Sequence, residues 1–142
     1  MEKHNFRSVI ATASLVLGLS GVGPAHADIF GGFLGAAAGA TDVYGMTCPI
    51  GTVSVKASVN DAVAVGNQIS VQVINPHGRA ITASAVDGGP PSTLVTLTGG
   101  AGQYLVTVHK NTLLGEGYSV SMDCYDVVGA IAGIQSVLIQ NQ

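Results

Sequence analysis

The chain has no tryptophan, and only 5% of its 142 residues are aromatic and 9% charged. Without an aromatic platform there is nothing on which sugar rings would stack, so carbohydrate binding stays a minor option. Lysine and arginine together number 5, against 8 aspartates and glutamates. The bases are scattered, which excludes the basic stripe that tracks a phosphate backbone, and no nucleic-acid partner is expected. Catalytic signatures are also lacking. The sequence contains no Gly-x-Ser-x-Gly elbow, no His-Glu-x-x-His and no phosphate loop. The glycines between Gly31 and Gly39 follow no strand signal and have the wrong spacing for a dinucleotide fingerprint. Asp123 and Asp126 are the nearest thing to paired carboxylates, and with Asp87 they are the acids considered for a cation; solvated loop acids are the simpler reading. A non-enzymatic protein without a cofactor is expected.

What is present begins with an address. Lys3 and Arg7 sit in a short polar head, Ser8 to Val22 carries no charge, and Gly23-Pro24-Ala25-His26-Ala27 closes with a small-residue Ala-x-Ala end. This order is that of a secretory signal peptide over 1–27, cut after Ala27. The apolar run is short for a bilayer span, so the mature chain from Asp28 is expected to have no transmembrane span. Export to the periplasm, cell surface or extracellular space follows. About 115 residues then remain, enough for one domain. Their low charge weakens the repulsion that keeps copies apart and is compatible with packing against other copies or another envelope protein.

Cys48 and Cys124 are the 2 cysteines. In an oxidising compartment an even pair reads as a disulfide. Tyr44-x-Met46-x-Cys48 and Tyr118-x-Val120-x-Met122-x-Cys124 put each sulfur on the side of apolar neighbours. Closing a loop of about 77 residues is worth roughly 4–5 kcal/mol on the chain-entropy model. The repeated Met-x-Cys offers an alternative, in which Met46, Cys48, Met122 and Cys124 supply soft ligands to Cu(I). A blue-copper site is disfavoured, because His77 falls in a turn and His109 on a polar strand face.

Period-two alternation recurs along the chain, as expected of half-buried strands. The segments are Val43 to Cys48, Thr52 to Val59, Gln68 to Ile74, Ala80 to Val86, Ser92 to Thr98, Gly102 to Lys110 and Gly117 to Cys124. Ser136 to Gln140 is one more candidate. In Gly102 to Lys110, Leu105 is the one apolar residue on the otherwise polar side. Asn75-Pro76-His77-Gly78 and Asp87-Gly88-Gly89-Pro90-Pro91 are turns. A loop from Asn111 to Glu116 predicts an antiparallel hairpin between the last two long strands. The fold class expected is all-β, an antiparallel sandwich of about seven to eight strands over 42–142 with one disulfide.

Ile69-x-Val71-x-Val73-x-Asn75-Pro76-x-Gly78, Gly102-x-Tyr104-x-Val106-x-Val108 and Gly117-Tyr118-x-Val120 resemble bacterial pre-peptidase C-terminal domains, secreted immunoglobulin-like β-sandwich modules. The resemblance spans residues 69–124 and implies a sandwich and a non-catalytic role. Gln68, Ser70 and Gln72 stand where that family commonly has acids, so no calcium site is implied, and no catalytic domain is attached.

The ends are unusual. Residues 28–41 form an apolar, glycine-rich leader containing Ile29, Phe30, Gly31, Phe33, Leu34, Gly35 and Gly39, and an apolar extension starts near Val127. Three readings stand. The ends are a floppy leader and a terminal strand packing on their own domain; or one end, the leader fitting best, adds as a strand to a neighbour's sheet and builds a polymer; or the four-residue glycine spacing, repeated at Gly129 and Gly133, serves membrane or helix-pair association. The functional expectation is a structural or surface-associated subunit, self-assembling through its N-terminal segment. The alternative is a small binding module for a glycan, peptide or metal ion, using the loops Asn75 to Arg79 and Asp87 to Pro91.

Overall fold

A computed structural model describes residues 27–61, 63–64, 66 and 68–142. Apart from Ala27, the export signal read over 1–27 lies outside the described residues. Among the described residues there are nine strands and no helix. They are β1 (Asp28–Leu34), β2 (Thr41–Cys48), β3 (Ser54–Asp61), β4 (Ile69–Ile74), β5 (Ala80–Ser84), β6 (Val95–Thr98), β7 (Gly102–Lys110), β8 (Glu116–Tyr125) and β9 (Gln135–Gln140). They make two antiparallel sheets, one of four strands ordered β1-β8-β3-β6 and one of five ordered β5-β4-β7-β2-β9. The architecture is all-β and sandwich-like. Eight of the strands fall where alternation predicts them, and the ninth is β1, inside the segment read as a leader.

The core forms because alternate residues of each strand point inward. Val55, Ala57 and Val59 of β3 and Tyr118, Val120 and Met122 of β8 face Ile69, Val71 and Val73 of β4 and Tyr104, Val106 and Val108 of β7. Each such side chain taken out of water contributes about 1.5–3 kcal/mol against the entropy of ordering the chain. Cys48 and Cys124 are bonded, with Cα atoms 5.7 Å apart, so the disulfide joins β2 of one sheet to β8 of the other. With both sulfurs used in that bond, the four-sulfur copper arrangement is not formed. Met46 and Met122 are core packing.

The expected hairpin between β7 and β8 is not observed. β7 lies between β4 and β2 in one sheet, while β8 lies between β1 and β3 in the other. Alternation identifies which side of a strand is buried but not which strand lies beside it, and these two apolar faces meet across the core. The crossing is held by Lys110, whose Nζ donates to the carbonyls of Thr112 (2.8 Å) and Ala37 (3.0 Å). The neighbouring Leu114 has φ of 91°. The turn at Asn75 forms as expected and joins β4 to β5. Asn75 Oδ1 accepts from the main-chain N–H groups of His77 (3.0 Å) and Arg79 (2.9 Å), and Gly78 takes the left-handed φ of 75°.

Candidate assembly site

β1 is an edge strand. It runs antiparallel to β8 in the register Asp28↔Met122 through Leu34↔Glu116. Alternation divides its large side chains. Leu34 is fully buried (0% exposed) and Phe30 packs half-buried against the core, whereas Ile29 (70% exposed) and Phe33 (61%) face outward. The Phe30 ring lies 5.9 Å from that of Tyr44 on the opposite sheet. The helix-pair reading of this end does not hold, since Gly31 lies in a strand and Gly35 and Gly39 in the connection to β2. Among the described residues no helix is long and apolar enough to cross a membrane.

The glycines of β1 have a specific use. A Cβ on Gly32 would lie 2.3 Å from both Cζ and Oη of Tyr118, its partner in the ladder. The missing side chain is space that the Tyr118 ring fills. β1 therefore brings no bulk to the core at this position, because β8 supplies it.

That ring carries a buried polar chain between the sheets. Tyr118 Oη donates to Asp42 Oδ2 at 2.6 Å, and Tyr44 Oη lies 2.6 Å from Tyr118 Oη. With the Tyr118 proton committed to Asp42, Tyr44 donates to Tyr118. Asp42 Oδ1 accepts from the main-chain N–H of Gln142 at 2.8 Å. Burial pushes the Tyr118 hydroxyl far up, reinforced by its bonds to Asp42 and Tyr44, and burial also raises Tyr44. Both phenols stay protonated at neutral pH and act as donors. Each proton already has an acceptor, so the arrangement is suited to holding strands together and offers no free base to a substrate.

The connection 35–40 consists of glycine and alanine. Gly35 N–H donates to Gln142 O (2.6 Å), Leu114 N–H donates to Ala36 O (3.3 Å), and Gly39 has φ of 76°. At the other end of β1 the main-chain N–H of Asp28 donates to Asp123 Oδ1 at 3.3 Å. Asp123 is 2% exposed, and burial pushes its carboxyl up to about 6 despite that hydrogen bond.

The sequence-predicted residues are thus gathered in part. Phe30 and Leu34 enter the core, Ile29 and Phe33 do not, and Gly35 and Gly39 shape the linker. Asp126 is separately engaged, with Oδ1 accepting from the N–H groups of Val128 (3.0 Å) and Ala130 (2.8 Å) in its own turn, while Asp87 Oδ2 accepts from Gly66 N–H (2.8 Å). Among the described residues no group of three His, Cys, Asp or Glu side chains gathers as a metal site would require.

A second surface lies on the outer face of the five-stranded sheet. A groove of about 720 Å³ runs over Gly45 and Leu105, walled by Ile74, Pro76, Val137 and Ile139. Leu105, out of pattern in the sequence, lines this groove. A Cβ on Gly45 would come within 2.8 Å of Ile139, so here too a glycine makes room for a neighbour's side chain.

Besides the burial of Asp123, sequence reasoning missed the buried charges Asp42, Asp61, Lys110 and Glu116. A signal for these last four was present, since each continues the inward parity of its strand by one more step: Asp42 before Tyr44, Asp61 after Val59, Lys110 after Val108, Glu116 before Tyr118. No protein-family model matches this chain, and no curated protein matches it either.

Proposed function

We propose that this chain is an exported, non-catalytic structural or surface-associated subunit that assembles with copies of itself by exchanging β1. The observation that carries the reading is how β1 is attached. It is an edge strand with Phe30 and Leu34 as its inward anchors, tied to β2 by a linker of small residues, and it lies outside the loop closed by the disulfide. Every contact β1 makes with β8 can be made equally well with β8 of another copy, which is the condition for strand exchange. The signal-like amino terminus, the scarcity of charge and the resemblance to secreted immunoglobulin-like modules support the same reading.

The test is light scattering after size exclusion of the oxidised mature protein, with negative-stain microscopy of the largest species. Oligomers or fibres should form, and deleting 28–41 should abolish them. Because deletion also removes Leu34 from the core, a second variant is needed. Gly31→Cys with Ser119→Cys, residues paired in the ladder, locks β1 to its own chain when oxidised. The locked protein should be monomeric and return to larger species on reduction. A monomer at high concentration, locked or not, sinks the proposal.

The groove over Leu105 favours a second reading, a binding module for an apolar peptide segment. It differs in one outcome: binding at the groove persists when β1 is locked.

A further inference from the structure

Resting on the export reading, we infer that cleavage after Ala27 creates an ion pair between the new α-ammonium group of Asp28 and the buried carboxylate of Asp123, and that this pair anchors β1 on β8. The geometry is already in place. Asp28 N lies 3.3 Å from Asp123 Oδ1, inside ion-pair range, while Ala27 and Asp28 are exposed and the scissile bond is open to a peptidase. Hydrolysis adds water across the Ala27–Asp28 bond. Ala27 leaves with a carboxylate, and Asp28 keeps an amine that takes a proton below its ordinary value of about 8. One amide hydrogen becomes three ammonium hydrogens with a full positive charge, next to a carboxylate that is 2% exposed.

The surroundings leave that role open. On the neighbouring strand, Lys56 is the register partner of Asp123, but its Nζ sits 4.1 Å from the centre of the Tyr125 ring. The Asp28 carboxylate and the Tyr125 hydroxyl are the other titratable groups that interact with Asp123, and neither supplies positive charge. In the uncut chain burial, with the Asp28 carboxylate nearby, raises the carboxyl's titration, and the Asp28 amide offsets only part of that. An adjacent cation reverses the balance. Asp123 then favours the charged form, and the ammonium is held above its ordinary value. The pair is complete between those two titrations. It is lost as pH falls through the lowered Asp123 value or rises through the raised amine value. Cleavage thus fixes β1 wherever it has docked, on its own chain or on a neighbour.

The test compares the protein released from an amino-terminal fusion so that Asp28 carries a free amine with the same protein bearing a Gly-Ser extension, each with and without Asp123→Asn. Carbon-13 titration of the Asp123 carboxyl should show its proton affinity about tenfold or more lower in the free-amine form, one pH unit. Amide exchange at 29–33 should slow by a similar factor, and Asp123→Asn should erase that difference. Equal Asp123 titrations in the two forms, or an exchange difference that survives Asp123→Asn, overturns the pair and leaves the export reading standing. Sequencing the amino terminus of the exported protein tests the cleavage separately: a start other than Asp28 overturns the processing step.

Discussion

The contact between Gly32 and Tyr118 makes a sharp quantitative prediction. Replacing Gly32 with alanine puts a methyl group 2.3 Å from Cζ and Oη of Tyr118, more than 1 Å inside ordinary contact, so either the ring or the strand must move. If the ring moves, its 2.6 Å bonds to Asp42 and Tyr44 break. The first is charge-assisted and worth roughly 1.5–3 kcal/mol, the second about 0.5–1.5 kcal/mol. Alanine returns about 0.5–1 kcal/mol of backbone entropy relative to glycine. The net loss is about 1–4 kcal/mol. If β1 lifts instead, the burial of Leu34 is forfeited, and its removal from a core costs about 2–5 kcal/mol, so the two routes are similar in size. The assay is urea unfolding of Gly32→Ala, Tyr118→Leu and the double variant. Leucine ends before the clashing atoms, so in its presence the alanine should cost nothing or stabilise by roughly 0.5 kcal/mol. The cycle should give a coupling of about 1–4 kcal/mol. A coupling under about 0.5 kcal/mol would refute the claim that glycine is required here by the tyrosine.

Three further outcomes are expected. Reducing the disulfide, or replacing Cys48 and Cys124 with alanine, should cost roughly 4–5 kcal/mol for a separation of 76 residues, read from urea midpoints with and without reductant. Lys110→Met should lose about 1–3 kcal/mol by leaving the Ala37 and Thr112 carbonyls without their donor, and should speed amide exchange in 35–40 more than in β3 or β4. Burial holds the Asp61 carboxyl above its ordinary 3.8, so the folded state binds that proton more tightly than the unfolded chain. Its unfavourable contribution is full above the raised value and relieved as pH falls towards 3.8, so Asp61→Asn should remove that part of the pH dependence in urea midpoints, and an unchanged slope rules the assignment out.

Much of the architecture was legible because one face of each strand is buried and the other is not. Val55, Ala57 and Val59, or Tyr104, Val106 and Val108, declare their side by parity alone. What parity does not carry is the identity of the neighbouring strand, and for that reason β7 and β8 read as a hairpin although they belong to different sheets. β1 was illegible as part of the core for a related reason. Its apolar volume at Gly32 is supplied by Tyr118, so the strand looks empty until its partner is known. The buried charges fell to a different error. Asp42, Asp61, Lys110 and Glu116 keep strand parity, but Asp61 and Glu116 read as turn and loop residues and Asp42 and Lys110 as strand ends, and the hydrogen bonds drawn by Lys110 Nζ and Asp42 show how such groups sit inside. The groove was half-visible: Leu105 broke its pattern, but the walls come from Ile74 and from Val137 and Ile139 of β9, far apart in sequence.

The disulfide has a mechanical consequence. A pull between the two ends of the chain passes along β1 and β2 to Cys48, crosses the S–S bond to Cys124, and leaves through β9. Everything from Pro49 to Asp123, including β3 to β7, is bypassed by the tension. Only 28–47 and 125–142 can be drawn out, and they contain both terminal edge strands. A fibre of such subunits, once assembled, would stretch by peeling these segments, β2 with its buried Tyr44 and Met46 among them, while the strands inside the closed loop carried no tension.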